Sequence, residues 1–93
     1  MATSNEIVVQ HKVGLHARPA ALFVKTANRF KSRVSVENLT KGTASVNAKS
    51  ILSVLSIAVQ MHDQIRITAE GVDEAAALTA LCELISANFG EAE

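Results

Sequence analysis

The chain has 93 residues, room for one domain (1–93) with a modest core, and 48% of them are hydrophobic, which argues against disorder. No apolar run approaches the ~20 residues that span a bilayer, and Met1 to Gln10 has no signal-peptide pattern, so neither membrane insertion nor export is expected. The net charge of 0 conceals a division. Residues 1–50 hold eight basic and two acidic side chains, whereas 51–93 hold one basic and seven acidic, so the halves are +6 and −6. Such a split suggests an electropositive face for an acidic partner or an anion, unless the halves fold together and their fields partly cancel. Cys82 is the single cysteine and fits a reducing cytoplasm. Phe23, Phe30 and Phe89 are the only aromatics, too few for a nucleic-acid stacking platform.

Glu6 to Lys12 is short and β-branched and predicts a first strand, punctuated by Gly14. A helix is predicted from Ala17 to Phe30, because Ala20, Phe23, Val24, Ala27 and Phe30 share one face. Pro19 falls in its first turn, where a missing N–H does no harm. Arg33 to Leu39 alternates, with Val34 and Val36 inward, and pairs through the Thr40-Lys41-Gly42 turn with a strand near Ser45 to Ala48. Ser50 to about Val59 predicts a short helix with Ser50 at its N-cap. Gln64 to Glu70 alternates cleanly as a last strand before Gly71. Asp73 to Asn88 predicts a helix with a stripe of Leu78, Leu81, Cys82, Ile85 and Phe89, stopped by Gly90. The order βαββαβα argues an α+β fold: an open-faced sandwich, with a four-stranded antiparallel sheet and three helices on one face.

The segment Gly14-Leu15-His16-Ala17-Arg18-Pro19-Ala20 carries the chemistry. His16 follows a glycine turn and precedes a helix, whose first N–H groups, at Ala17 and Arg18, point outward unpaired and favour an anion. Neutral imidazole is a nucleophile, and Arg18 can add charge-assisted hydrogen bonds, so the segment could take and hold a phosphoryl group without a metal. Spacing alone favours the plainer reading, a capping or loop histidine beside a surface arginine. His11 and His62 lack metal-ligand spacing, and no Gly-rich nucleotide loop is present.

The same segment closely resembles the active-centre motif of HPr, the histidine-containing phosphocarrier of the bacterial phosphoenolpyruvate-dependent sugar phosphotransferase system. Asn47-Ala48-Lys49-Ser50-Ile51 resembles the family's second signature, and Ile67 to Gly71 with Asp73-Glu74 resembles its last strand and turn. The resemblance implies that His16 is phosphorylated on Nδ1, that Arg18 meets the phosphoryl group, and that Ser50 matches a serine modified by a regulatory kinase in many members. It implies no metal, no organic cofactor and no independent catalysis on a small molecule. The implied partners are Enzyme I and sugar-specific A components, with a serine kinase/phosphorylase and a transcriptional regulator if Ser50 is modified. A regulatory or nitrogen-branch paralogue with other partners is the alternative. The hairpin loop around Asn38 to Ser45 is longer than the family's usual one and is expected away from His16. Ile57 to His62 lacks the glycine often found before the last strand, so that turn is expected to be built differently.

Leu22 lies off the buried face of the first helix, and Ile51, Leu52 and Leu55 cannot all be buried in so thin a core. They are expected to form an apolar docking patch near His16, ringed by Arg18, Lys25 and Lys49, on a chain that works as a monomer.

Overall fold

The computed structural model describes residues 2–91. Its elements are β1 (Ala2–Val8), α1 (Ala17–Ala27), β2 (Arg33–Asn38), β3 (Val46–Asn47), α2 (Ile51–Ser56), β4 (Gln64–Glu70) and α3 (Glu74–Ser86), followed by a 3-10 turn at Asn88–Gly90. The four strands form one antiparallel sheet in the order β1-β4-β2-β3. This is the βαββαβα open-faced sandwich that the hydrophobic patterns predict.

Strand alternation sets the layers. Val34 and Val36 of β2 and Ile65, Ile67 and Ala69 of β4 point into the core, while Ser35, Glu37, Arg66 and Thr68 face outward. Phe23 from α1, Leu81 from α3 and Val54 from α2 meet the inner face. Phe23 is fully buried, a contribution of about 2–3 kcal/mol. Within the α3 stripe, Leu78, Leu81, Ile85 and Phe89 are buried and Cys82 is half-buried.

Several boundaries differ from the sequence expectation. The first strand is Ala2–Val8, not Glu6 to Lys12. Its polar start is held by pairing in register with the whole length of β4, Ala2 opposite Glu70 through Val8 opposite Gln64. Beyond Val8 the chain turns toward His11, whose carbonyl accepts from the Gly14 N–H (2.9 Å). Helix α1 stops at Ala27, because the Asn28 amide donates to the Val24 carbonyl (2.9 Å) and to the Lys49 carbonyl (3.1 Å). Helix α2 ends at Ser56, and Ala58 adopts a left-handed φ of 49°. The missing glycine before β4 is replaced by His62, which takes φ 77° in a turn closed by the Asp63 N–H on the Gln60 carbonyl (3.0 Å).

Buried Asp63 anchors that turn and the long hairpin loop together. It accepts from Lys41 Nζ, from Asn38 Nδ2 (3.0 Å) and from the Gln60 N–H (3.0 Å). Burial pushes its carboxyl up, but these donors outweigh burial and hold it at about 2, below the ordinary 3.8. The folded value lies below the unfolded one, so the stabilisation is complete above pH ~4 and is lost as pH falls through the folded value. Such a shift corresponds to about 2 kcal/mol. Asp63→Asn is therefore expected to cost about 2 kcal/mol in a urea titration at pH 7 and far less near pH 2. An equal gap at both pH values would contradict the linkage. Asp73 is also held at about 2, chiefly by the Ser32 hydroxyl and then by the Lys31 N–H, tying the start of α3 to the segment before β2.

Candidate phosphoryl-acceptor site

His16 is the N-cap of α1, with extended backbone (φ −131°, ψ 164°), and its side chain makes no capping hydrogen bond. It is half-buried. The loop that delivers it is fixed from behind. Leu15 is fully buried, and its N–H donates to the Val59 carbonyl (3.0 Å). Gly14 takes φ 65° and packs against the Val59–Gln60 backbone so closely that no Cβ fits.

The helix end beyond His16 is electropositive and open. The first-turn N–H groups at Ala17 and Arg18 have no helical acceptor, Pro19 has no N–H, and no acidic residue lies in that turn. Ala17 has a left-handed φ of 51°, which for an L residue costs roughly 1 kcal/mol. The strain sits between His16 and Arg18, the two residues the sequence singled out. Arg18 is 69% exposed, and its Nε lies 3.7 Å from Glu91 Oε2.

Glu91 and His11 are residues that sequence reasoning did not connect with this site. His11, considered there only as a metal ligand, is 4% exposed and stacks edge-on against Phe89 at 5.8 Å. Its Nδ1 accepts from the Val13 N–H (3.2 Å) and its Nε2 meets Glu91 Oε1 (2.8 Å). The hydrogen bond from His11 is the main cause holding the Glu91 carboxyl below the usual carboxylate range, with the charges of Arg18 and Lys12 adding to it. No group of three His, Cys, Asp or Glu side chains stands together among the described residues.

Ser50 is the N-cap of α2, and its Oγ accepts from the Ser53 N–H (3.3 Å). It is not beside His16. Lys49, just before α2, meets Asn28 at the end of α1, while Val59, just after α2, meets Leu15 at the start of α1. The two helices therefore run antiparallel. Ser50 lies at the far end of α1, whose 11 residues span roughly 16 Å.

Ile51 (41%), Leu52 (77%) and Leu55 (36%) are all exposed, so the middle helix does present an apolar face. Leu22 is half-buried and packs against the core. Lys25 is exposed in the last turn of α1. Lys49 is half-buried, and its Nζ donates to the Phe30 carbonyl (2.8 Å), so its charge is partly spoken for. A surface hollow of about 460 Å³, larger than a second one beside Glu70, opens at the β2–β3 edge between Arg33, Ser45 and Lys49. His16 lines neither that hollow nor the smaller one beside Glu70.

This α+β open-faced sandwich sets an uncapped histidine beside an open helix N-terminus, whose free amides suit an anion. The comparisons name the family. A family model described as PTS HPr component phosphorylation site matches residues 3–87, and the chain belongs to that family. It is 42% identical over 87 residues to phosphocarrier protein HPr of Neisseria meningitidis serogroup A, covering 94% of each chain. It is 43% identical over 83 residues to the multiphosphoryl transfer protein of Vibrio cholerae, covering 89% of this chain but 21% of that longer protein. The crystal structure of HPr-C-His from Thermoanaerobacter tengcongensis superposes with a TM-score of 0.92 at 45% identity, covering 98% of this chain and 99% of that one. No helix among the described residues is long and apolar enough to cross a membrane.

Proposed function

We propose that this chain is a phosphocarrier that takes a phosphoryl group from phosphorylated Enzyme I onto His16 and passes it to sugar-specific A components. One observation carries this reading: His16 stands uncapped at the N-terminus of α1, with the Ala17 and Arg18 amides open and no acid in the first turn. The Nδ1 lone pair forms the new N–P bond while the bond from phosphorus to the donor breaks and its electron pair leaves with the donor. The amides and Arg18 then face the phosphoryl oxygens.

The exposed face of α2 is the docking surface in this reading. Leu52 is its most exposed large residue and supports no core contact, so Leu52→Ser is expected to raise the KM for the phosphorylated donor about tenfold, with kcat and Tm nearly unchanged. A matching fall in kcat would place Leu52 in the chemistry instead. A phosphate on Ser50 would add about −1.5 to −2 charges to this face, roughly a helix length from His16. Its effect would fall on docking with Enzyme I, an A component or a regulator rather than on the imidazole. An open docking face also favours a monomer.

The test is incubation with Enzyme I, magnesium and phosphoenolpyruvate, followed by intact mass at neutral pH. One added, acid-labile phosphate supports the reading. No uptake from a cognate Enzyme I overturns it.

A further inference from the structure

The chain spends unusual backbone geometry on bringing Glu91 back to the site. Asn88, Phe89 and Gly90 follow α3 with three successive left-handed φ values of 55°, 57° and 75°. Phenylalanine is a costly residue there, and Asn88 Oδ1 is buried with no hydrogen-bond partner among the described residues. Strain of this kind persists only where surrounding contacts over-determine it. Those contacts are the burial of Phe89, its edge-on packing against His11, and the Asn88 amide on the Glu91 carbonyl (3.2 Å). The result is a carboxylate set between a buried histidine and the exposed arginine of the phosphoryl site.

The tautomer of His11 follows from its partners. Nδ1 accepts from the Val13 N–H, so in the neutral ring the proton sits on Nε2 and is donated to Glu91 Oε1. That bond aims the second oxygen, Oε2, at Arg18. We propose that His11 is a positioning residue: by fixing Glu91 it holds an internal counter-anion on Arg18, which the phosphoryl group on His16 must displace. The proposal rests on the phosphocarrier reading given above. Its chemical consequence is a lower affinity of the site for phosphate, which keeps the phosphoryl group transferable to the next protein.

Two substitutions separate the contacts of His11. In His11→Asn the side-chain oxygen replaces Nδ1 and keeps the Val13 N–H, but nothing reaches Glu91. In His11→Gln the side-chain amide nitrogen replaces Nε2 and keeps Glu91. Glu91→Gln and His11→Asn are each expected to shift the phosphoryl equilibrium with Enzyme I toward this chain by about threefold, the worth of one partly exposed guanidinium–carboxylate pair. The double variant is expected to match either single one, and His11→Gln to stay at the wild-type value. A merely structural histidine would lower Tm in all variants and leave the equilibrium unmoved.

A second readout needs no phosphoryl transfer. The Arg18 Nε–Hε resonance is expected to be distinct in the wild type and in His11→Gln, and to move to the position of free surface arginines in Glu91→Gln and His11→Asn. An unmoved equilibrium, an unmoved Arg18 resonance, or a response to Glu91→Gln that His11→Asn fails to reproduce would each overturn the proposal. If the wild type itself takes up no phosphate, the phosphocarrier reading fails, and an Arg18 resonance that ignores His11 would separately dismiss the clamp.

Discussion

His16→Ala is expected to take up no phosphoryl group from phosphorylated Enzyme I, its intact mass remaining at the unmodified value under conditions that load the wild type fully. The loss is complete because alanine has no lone pair to form the N–P bond, whatever the surrounding donors contribute. The fold should not suffer. His16 is half-buried and makes no capping hydrogen bond, so the change in stability is expected to stay within about 0.5 kcal/mol. Catalysis and folding are thereby separable at this position. His62→Gly is the matched control. It removes an exposed histidine from a left-handed turn position that glycine fits, and should retain full uptake. Phosphate remaining on His16→Ala would show that another residue is the acceptor.

Gly14→Ala carries the next largest effect. Its Cβ would lie 2.1 Å from the Val59 carbonyl oxygen and 2.7 Å from Gln60 Cα, and backbone atoms cannot swing aside. The site loop and the segment after α2 would have to separate. That sacrifices the Leu15 N–H bond to Val59 and part of the burial of Leu15, and it adds left-handed strain at φ 65°. Together these cost about 3 kcal/mol or more, which for a chain this short lowers Tm by about 15 °C or more. Because Leu15 precedes His16, phosphoryl uptake should slow as well. Gly42→Ala isolates the clash: Gly42 has a similar φ of 68° but nothing within 4 Å of its Cβ, so only the strain of about 1 kcal/mol remains. Equal losses of Tm in the two variants would remove the argument from close packing.

The parts legible in the sequence are those whose cause is local. Gln64 to Glu70 alternates because β4, paired at its edges with β1 and β2, buries one face against the helices, and the strand has the predicted limits. Leu78, Leu81 and Ile85 likewise follow one face of α3, but the helix ends at Ser86, short of the expected Asn88, and Phe89 reaches the core from a left-handed turn beyond it. His16 and Arg18 could be singled out because glycine turn, histidine, arginine and proline fall within one turn of chain. The start of β1 was not legible, since Ala2 to Asn5 carries no strand signal and is extended by its partner β4. The apolar pattern of α1 runs on to Phe30, but the Asn28 side chain ends the helix at Ala27.

Charge shows the same limit. The segregation between halves is real along the chain, yet folding brings Lys41 to Asp63 and Arg18 to Glu91, pairs that join the basic half to the acidic one. The fields therefore partly cancel, while Lys12, Lys25, Arg29, Lys31 and Arg33 form no ion pair among the described residues. The Glu91–His11 contact joins residues 80 apart through a strained turn that no short-range pattern announces.

A carrier must give as well as take. The most direct measurement follows labelled phosphate from phosphoenolpyruvate through Enzyme I to a sugar-specific A component, with this chain present, absent, or replaced by His16→Ala. The account predicts label on the A component only when the wild-type chain is present, with the label passing through an acid-labile state on His16. Label that halts on this chain, or that reaches the A component equally well with His16→Ala, would contradict it.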